Sequence, residues 1–584
     1  MLRTKKREHQ KKILFSLDIQ TCNTNQFWST IRNLTTKRAP QCSITVDDWY
    51  HHFRNLFNCF EDMDQNHTDA IKENFVRDES ILELDFEESQ QDSEWLDDDI
   101  SEEEVVTALR NIKNGKAAGP DRVIGEFLKY SMEFCIDYMV KLFNKLFTLG
   151  IYPGSWSESI IQPLHKKGDK DNPENYRGIS LLNILSKVYS HILNRRLNDW
   201  IDEQNILEES QAGFRKHYST VDHIFTMTAL VQKQLLYHRK LYVAFIDFRK
   251  AFDSVVRSKL WGVLRKKGLA STSRMYNAIT SMYFTVKARV RAGGDVTECF
   301  LCPRGVKQGE VCSPVLFSLF IDELAREMNE YGKHGVQLLP DLLEICILMF
   351  ADDVCLISDS VSGLQNQLNV LLKTAKTLEL TVNLEKSNIV VFRNGGYLSS
   401  NEKWTYGDVD MKVVNMYKYL GVLFSTKLSF SHALNDMSFR AKKDIVNIFR
   451  LFWSLSEKSP AIFFKLLDVQ IQPMLMYGAE VWGLATDLTV IERVHLFALK
   501  RFLGVSSRTS NDLVYGETGR YPLFVNIYVK VLRYWLKLLE MDPHRIPFKA
   551  YKMLVYIHEQ NKNNWACSVC FLFYRYGLNH VCDY

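Results

Sequence analysis

The sequence predicts an α+β centre flanked by helical units, and three observations predict it. Apolar runs of strand length, rich in Val, Ile, Leu and Phe, gather in the middle third; helical periodicity prevails before and after them; and 46% hydrophobic with 24% charged residues is an ordinary globular composition. A chain of 584 residues has room for roughly three or four packed units.

Residues 1 to about 75 read as a basic, mostly helical lead-in, with Phe27, Trp28, Ile31 and Leu34 at helical spacing. From Asp78 to Glu104 the chain is strongly acidic and reads as a solvated linker. Ser101 followed by Glu104 is a capping box, which starts a helix through Val105, Val106, Leu109 and Ile112 that stops near Gly115. Pro120, Pro153, Pro163 and Pro173, with Gly119, Gly150, Gly154 and Gly168, then break up a loop-rich region between helical patterns at 134–149 and 184–200. Strand-length runs follow at 241–247, 345–350, 354–358 and 389–392. From about 430 onward the pattern is helical again, as at 439–455 and 528–539.

Charge and cysteine usage exclude some classes. Lys and Arg total 73 against 69 Asp and Glu, a net charge of +4 that only hints at a polyanionic partner, although the chain outside the acidic stretch is clearly basic. Twelve Cys without a disulfide rhythm, and an N-terminus without the apolar core of a signal peptide, point to a reducing intracellular compartment, nucleus and/or cytoplasm. No apolar run approaches the ~18 to 20 residues a bilayer requires, so no membrane role is expected.

The most informative segment is ILMFADDVCLIS at 347–358, where two aspartates interrupt an apolar, strand-like run. Strands joined at Ala351, Asp352 and Asp353 make a hairpin whose tip presents adjacent carboxylates, and uncompensated charge there is costly without a cation. A hard divalent ion, Mg2+ above all, is the natural counter-ion. An isolated Asp-Asp pair is nonetheless more often a plain turn with solvated carboxylates. A second apolar run, LYVAFID, ends in Asp247, which otherwise reads as a cap for the helix that follows. Nucleotidyl transfer needs at least two carboxylates bridging two metals ~3.5 to 4 Å apart, and acidic residues at neighbouring strand ends suit that need.

At these residues the sequence resembles the reverse transcriptases of non-LTR (LINE-type) retrotransposons. FIDFRKAFDSV at 245–255, GVKQGEVCSP at 305–314, FADD at 350–353 and VNLEKSN at 382–388 resemble the four palm motifs in order. YLGVLFS at 419–425 resembles the primer grip and PLHKKGDKDNPENYRGISLL at 163–182 the finger segment, while weaker likeness runs from NGKAAGPD at 114–121 to MYGAEVWG at 476–483. The resemblance implies a right-hand polymerase of fingers, palm and thumb with a mainly antiparallel palm sheet. The expected division is an N-terminal extension and linker at 1–95, fingers at 96–240, palm at 241–425 (reverse transcriptase domain about 157–425), a helical thumb at 426–540 and a C-terminal helical segment at 541–584.

It also implies roles. Asp247, Asp352 and Asp353 would hold two Mg2+ ions, or Mn2+, with the backbone carbonyl of Phe248 completing one shell. Phe252 would collide with a ribose 2'-OH and select dNTPs; Gln308 and Gly309 would contact the incoming nucleotide; Lys167 and Arg177 would clamp its triphosphate; Lys386 would assist the departing pyrophosphate. Tyr419, Leu420 and Gly421 would form the primer grip, and Arg440, Lys442 and Lys443 would track the duplex of RNA template and DNA primer. For each there is a plainer reading: Gly309 as a turn residue, Lys167, Arg177 and Lys386 as surface cations, Tyr419 and Leu420 as core.

Two positions depart from the family pattern, Cys312 where a larger apolar residue is usual and Glu379 where Gly is frequent. The family's endonuclease domain is not expected in this chain. Cys567, Cys570, His580 and Cys582 invite a zinc site, but the apolar, aromatic FLFYRYGL between them favours packing. The expected activity is RNA-directed DNA polymerisation; the alternative is a catalytically silent relic that only binds nucleic acid. Phe252 speaks against a third option, an RNA-dependent RNA polymerase.

Overall fold

The computed structural model describes residues 43–57, 94–332, 334–339, 344–454, 459–578 and 580. At its centre four strands pair in the order Asn388–Phe392, Leu241–Ile246, Asp353–Ser358, Ile347–Phe350, all antiparallel. Successive side chains of a strand point to opposite faces, and here both faces are buried. Tyr242, Ala244, Ile246, Val354, Leu356, Ile389 and Val391 join one core, with Leu316, Phe320, Leu364 and Leu368 from helices Ser313–Tyr331 and Val361–Leu378. Val243, Phe245, Cys355, Ile357, Val390 and Phe392 join a second core, against Met227 and Val231 of helix Thr220–Leu236 and Ile527, Val531 and Trp565 of the C-terminal helices. This two-sided burial is why these runs are apolar without interruption rather than alternating.

A second sheet lies on the side of the first core. Strand Glu158–His165 pairs antiparallel with Tyr176–Leu181 and parallel with Lys287–Ala292. Helix Val46–Phe57 packs on it so closely that a Cβ at Gly178 would stand 2.6 Å from the Phe53 ring. The sheet's strand Tyr176–Leu181 is tied to the 305–310 loop where the Ser180 amide donates to the Gln308 carbonyl at 2.7 Å.

The helical and strand readings hold with shifted ends: 134–149 is helix Met132–Leu149, 528–539 is helix Leu523–Leu539, and the Ser101 to Glu104 capping box is formed. The run at 345–350 is split, because Glu344–Ile345 pairs with Val336–Gln337 while Ile347–Phe350 joins the central sheet. The acidic stretch needs correction where it is described. From Glu94 onward it is docked rather than a free linker: Asp97 accepts hydrogen bonds from Ser273 Oγ and the Arg274 and Met275 amides, capping helix Arg274–Ser281. Arg196 donates to the carbonyls of Leu96, Asp98 and Asp99 and to the Glu104 carboxylate. Phe27, Trp28, Ile31 and Leu34 lie outside the described residues.

The two departures are each accommodated. Glu379 takes φ 54°, the left-handed conformation that makes Gly frequent at such a helix end, and ion pairs with Lys259 at 3.1 Å and Arg304 at 3.5 Å tether it. Cys312 is fully buried, its thiol 3.2 Å from the Ser190 carbonyl. Cys567 and Cys570 sit on helix Trp565–Arg575, Cys582 lies outside the described residues, and packing explains only part of the aromatic run: Leu572 and Phe573 are buried but Phe571 and Tyr574 are exposed.

Candidate active site

The site forms where the central strands end. Because Val354 pairs with Ile246, the next residues outward on the two strands are Asp353 and Asp247, and directly opposed residues of antiparallel strands have Cβ atoms roughly 4.5–5.5 Å apart. Strands Ile347–Phe350 and Asp353–Ser358 are joined by a two-residue turn, Ala351 and Asp352, with Ala351 at φ 59°. Both acidic side chains of the pair therefore stand at the same sheet edge as Asp247.

Their electrostatics show the cost of that crowding. Burial raises the Asp352 carboxyl and repulsion from Asp247 adds to it, while Arg177 and Lys386 partly offset both. Asp353 reaches solvent on one side, yet burial on the other, with repulsion from Asp352 and then Asp247, pushes it up to about 6. Asp247 is held by its neighbours: its amide takes the Ser387 hydroxyl as acceptor at 3.0 Å, and its carboxylate receives Asn383 Nδ2 at 3.1 Å and the Lys386 ammonium at 3.5 Å. The Phe248–Val382 bridge is made by the Asp247 carbonyl and the Arg249 amide, which leaves the Phe248 carbonyl turned away from it.

Around the carboxylates stand the other expected residues. The half-buried Phe252 ring stacks on Phe317 with centroids 4.2 Å apart and meets Phe214 edge-on at 6.1 Å. Gln308 donates from Nε2 to Asp253 Oδ1 at 2.8 Å, and burial raises Asp253 to about 6. Gly309 is more than a turn residue: at φ 113° it lies so close to strand Tyr176–Leu181 that a Cβ would stand 2.8 Å from the Ser180 carbonyl oxygen. Arg177 lies on that strand, and its charge is felt at Asp352 and Asp253.

Other expected residues are placed differently. Lys167 is in the exposed turn beyond strand Glu158–His165; it is Lys166 whose ammonium is lowered, first by burial and then by Arg177, with Lys386 and Lys250 also near. Tyr419 is 2% exposed, tilted against Phe245 at 5.3 Å with its hydroxyl 3.4 Å from His223 Nδ1, so it is core. Leu420 and Gly421 form the turn of the Met416–Tyr419/Val422–Ser425 hairpin, where Tyr477 donates its hydroxyl to the Leu420 carbonyl at 2.9 Å. Arg440 pairs with Asp436 at 3.0 Å, while Lys442 and Lys443 are exposed on helix Ser431–Ser454.

Sequence reasoning missed the support of the Ala351–Asp352 turn. Residues 210–213 run beside strand Ile347–Phe350: the Met349 amide donates to the Ser210 carbonyl at 2.8 Å, and the Ala212 amide to the Met349 carbonyl at 2.9 Å. Gln211, fully buried, accepts the Ala351 amide on Oε1 at 3.1 Å, and Gly213 fits so tightly that a Cβ would stand 2.2 Å from the Ala351 nitrogen. The only signal was Gly213 itself.

The residues fit divalent ions as an open site. Among the described residues no three His, Cys, Asp or Glu side chains form a closed metal-ligand group. Mg2+, however, is commonly bound by one or two carboxylates together with substrate phosphates and waters, and the burial and repulsion that raise Asp352 and Asp353 are costs a cation relieves.

One end of an antiparallel sheet thus carries paired carboxylates, with an aromatic ring beside them and cations facing them. Residues 164–424 match the family model described as reverse transcriptase (RNA-dependent DNA polymerase). The chain is 27% identical over 396 residues to a probable RNA-directed DNA polymerase from transposon BS of Drosophila melanogaster, covering 66% of this chain and 42% of the relative. It is 29% identical over 406 residues to the corresponding protein of transposon X-element from the same fly, covering 66% and 41%. To the Pol polyprotein of a type-1 retrotransposable element R2 from Popillia japonica it is 25% identical over 382 residues, covering 63% and 50%. The chain thus spans half or less of these relatives' length. Its likeness is therefore to proteins named as RNA-directed DNA polymerases or Pol polyproteins of transposable elements, and residues 164–424 match the reverse transcriptase model.

Proposed function

We propose that this chain is an RNA-directed DNA polymerase that extends a DNA primer on an RNA template with dNTPs. The observation that carries the reading is the convergence of Asp247, Asp352 and Asp353 at one sheet edge, faced by Arg177 and Lys386. We assign the palm to 241–425, fingers to 96–240, thumb to 426–540 and a C-terminal helical segment to 541–584, with the N-terminal extension before them.

Asp247, Asp352, Asp353 and the Phe248 carbonyl would hold the metal ions, Mg2+ or Mn2+. Bound there, two such ions supply Lewis acidity to the primer hydroxyl and to the triphosphate. Arg177, with Lys166 nearer than Lys167, is placed to bind the triphosphate. Lys386, mostly exposed beside Asp247, is placed to donate a proton or positive charge to pyrophosphate as it leaves. Phe252, fixed by its stack on Phe317, presents a rigid ring where a 2'-hydroxyl would sit. Gln308 and Gly309 form the floor of the nucleotide pocket, and Leu420 and Gly421, backed by Tyr419, face the primer. Buried free thiols at Cys302, Cys312, Cys346 and Cys355 fit work in a reducing compartment, nucleus or cytoplasm.

The test is primer extension on homopolymer RNA with Mg2+ and Asp352→Asn as control. Incorporation of dNTP by the wild type alone supports the reading; equal RNA binding with no turnover in either protein overturns it. Phe252→Ala should lower the preference for dNTP over rNTP roughly 10- to 100-fold.

A further inference from the structure

The loop that props the catalytic turn is gripped at both ends by one arginine of the C-terminal region. Arg545 immediately precedes helix Ile546–Glu559. Its Nε donates to Glu209 Oε1 at 2.8 Å, and the Ile546 amide donates to the same oxygen at 3.3 Å. Its guanidinium also lies 3.5 Å from the centroid of the Tyr218 ring, over which Arg215 lies at 4.2 Å. Tyr218 in turn donates its hydroxyl to Glu209. Glu209 and Tyr218 bracket the loop, and Arg545, with only 13% of its side chain exposed, touches both.

Between those two residues lie the contacts to the catalytic turn. Arg215 donates to the carbonyls of Glu208 and Gln211 at 3.1 and 3.3 Å, tying the closed cluster to the loop's middle. Gln211 Oε1 accepts both the Gly213 and Ala351 amides, so one buried amide group couples the loop to the turn that carries Asp352. Ala351 is a non-glycine residue at φ 59°, a conformation that persists only where its surroundings impose it. The support therefore runs without a gap from the C-terminal helices through Arg545, the 209–218 loop and Gln211 to the catalytic turn.

We propose that Arg545 is a positioning residue for nucleotidyl transfer, clasping the 209–218 loop so that Gln211 holds the Ala351–Asp352 turn in its metal-binding conformation. This inference rests on the polymerase reading. It makes the C-terminal helical region a working part of the active site rather than an appendage.

The experiment compares the full chain with Arg545→Ala, Arg545→Lys, Gln211→Ala and the Arg545→Ala/Gln211→Ala double variant. Hydrogen exchange of the 347–358 segment should speed up about tenfold in Arg545→Ala, while the central strand 241–246 stays protected. Primer extension should lose about 10- to 100-fold in kcat and need more Mg2+, with KM for dNTP within about twofold of wild type. The double variant should be no slower than Gln211→Ala alone, and Arg545→Lys, which keeps the charge but not the flat face over Tyr218, should recover part of the loss. Unchanged exchange at 347–358 overturns the proposal, as does an additive double variant or a loss confined to thermal stability. If Arg545→Ala fails to fold, Glu209→Gln is read in the same way. A wild type that extends no primer sinks the polymerase reading, while the exchange measurement still decides the brace.

Discussion

Two tight hairpin turns border the site, and they are built alike but braced differently. The Ala351–Asp352 turn and the Leu420–Gly421 turn each open on a non-glycine residue with positive φ, 59° and 43°. The first is held by backbone and by a buried amide from residues 210–213; the second by a hydroxyl and ring of Tyr477. A turn that must hold two mutually repelling carboxylates is fixed by rigid peptide groups, whereas one that carries no charge rests on a side chain able to shift. Rigidity is thus concentrated where electrostatic strain is greatest.

The largest test of that contrast removes the charge itself. Asp352→Asn should lower incorporation by roughly 1,000-fold or more in primer extension while leaving the circular dichroism spectrum unchanged. Next is Gly213→Ala, which drives a methyl group into the Ala351 backbone; a loss of about 2–4 kcal/mol in denaturant unfolding is expected, with reduced activity. Gly421→Ala is its counterpart. It forces φ 87° on alanine and brings a Cβ within 2.9 Å of the Tyr477 ring, but that ring can move, so about 1–2 kcal/mol is expected. A larger loss from Gly421→Ala than from Gly213→Ala would reverse the comparison.

The smallest effect is one of pH. Asp353 is raised from 3.8 to about 6, so its folded form holds its proton more tightly than the unfolded chain does. Its contribution to stability is therefore fully present below about 3.8 and is lost as pH rises through about 6. In metal-free protein the unfolding midpoint of wild type relative to Asp353→Asn should fall across that window, and Mg2+ should reduce the fall. A flat difference would mean that neither burial nor the neighbouring carboxylates raise Asp353.

How much of this could be read in advance follows the same division. The central strands and the acidic residues at their ends were legible because charge inside an apolar run is a local, conspicuous signal, as at Asp352 and Asp353. The brace was not, because a bridge between Gln211 and Met349 has no periodicity and joins residues far apart in sequence. Lys166 and Lys167 are distinguished only by where strand Glu158–His165 ends, a boundary that sequence patterns leave open by a residue or two. The docked end of the acidic stretch was hidden because its partners, Arg196 and the start of helix Arg274–Ser281, lie more than ninety residues away.

The two-faced central sheet carries a final consequence. Because a single lamina supplies alternate side chains to both hydrophobic clusters, neither can melt while the other keeps its wall. Calorimetry should therefore record the two halves unfolding in one shared endotherm, and a lesion in either cluster should move that common peak instead of splitting it.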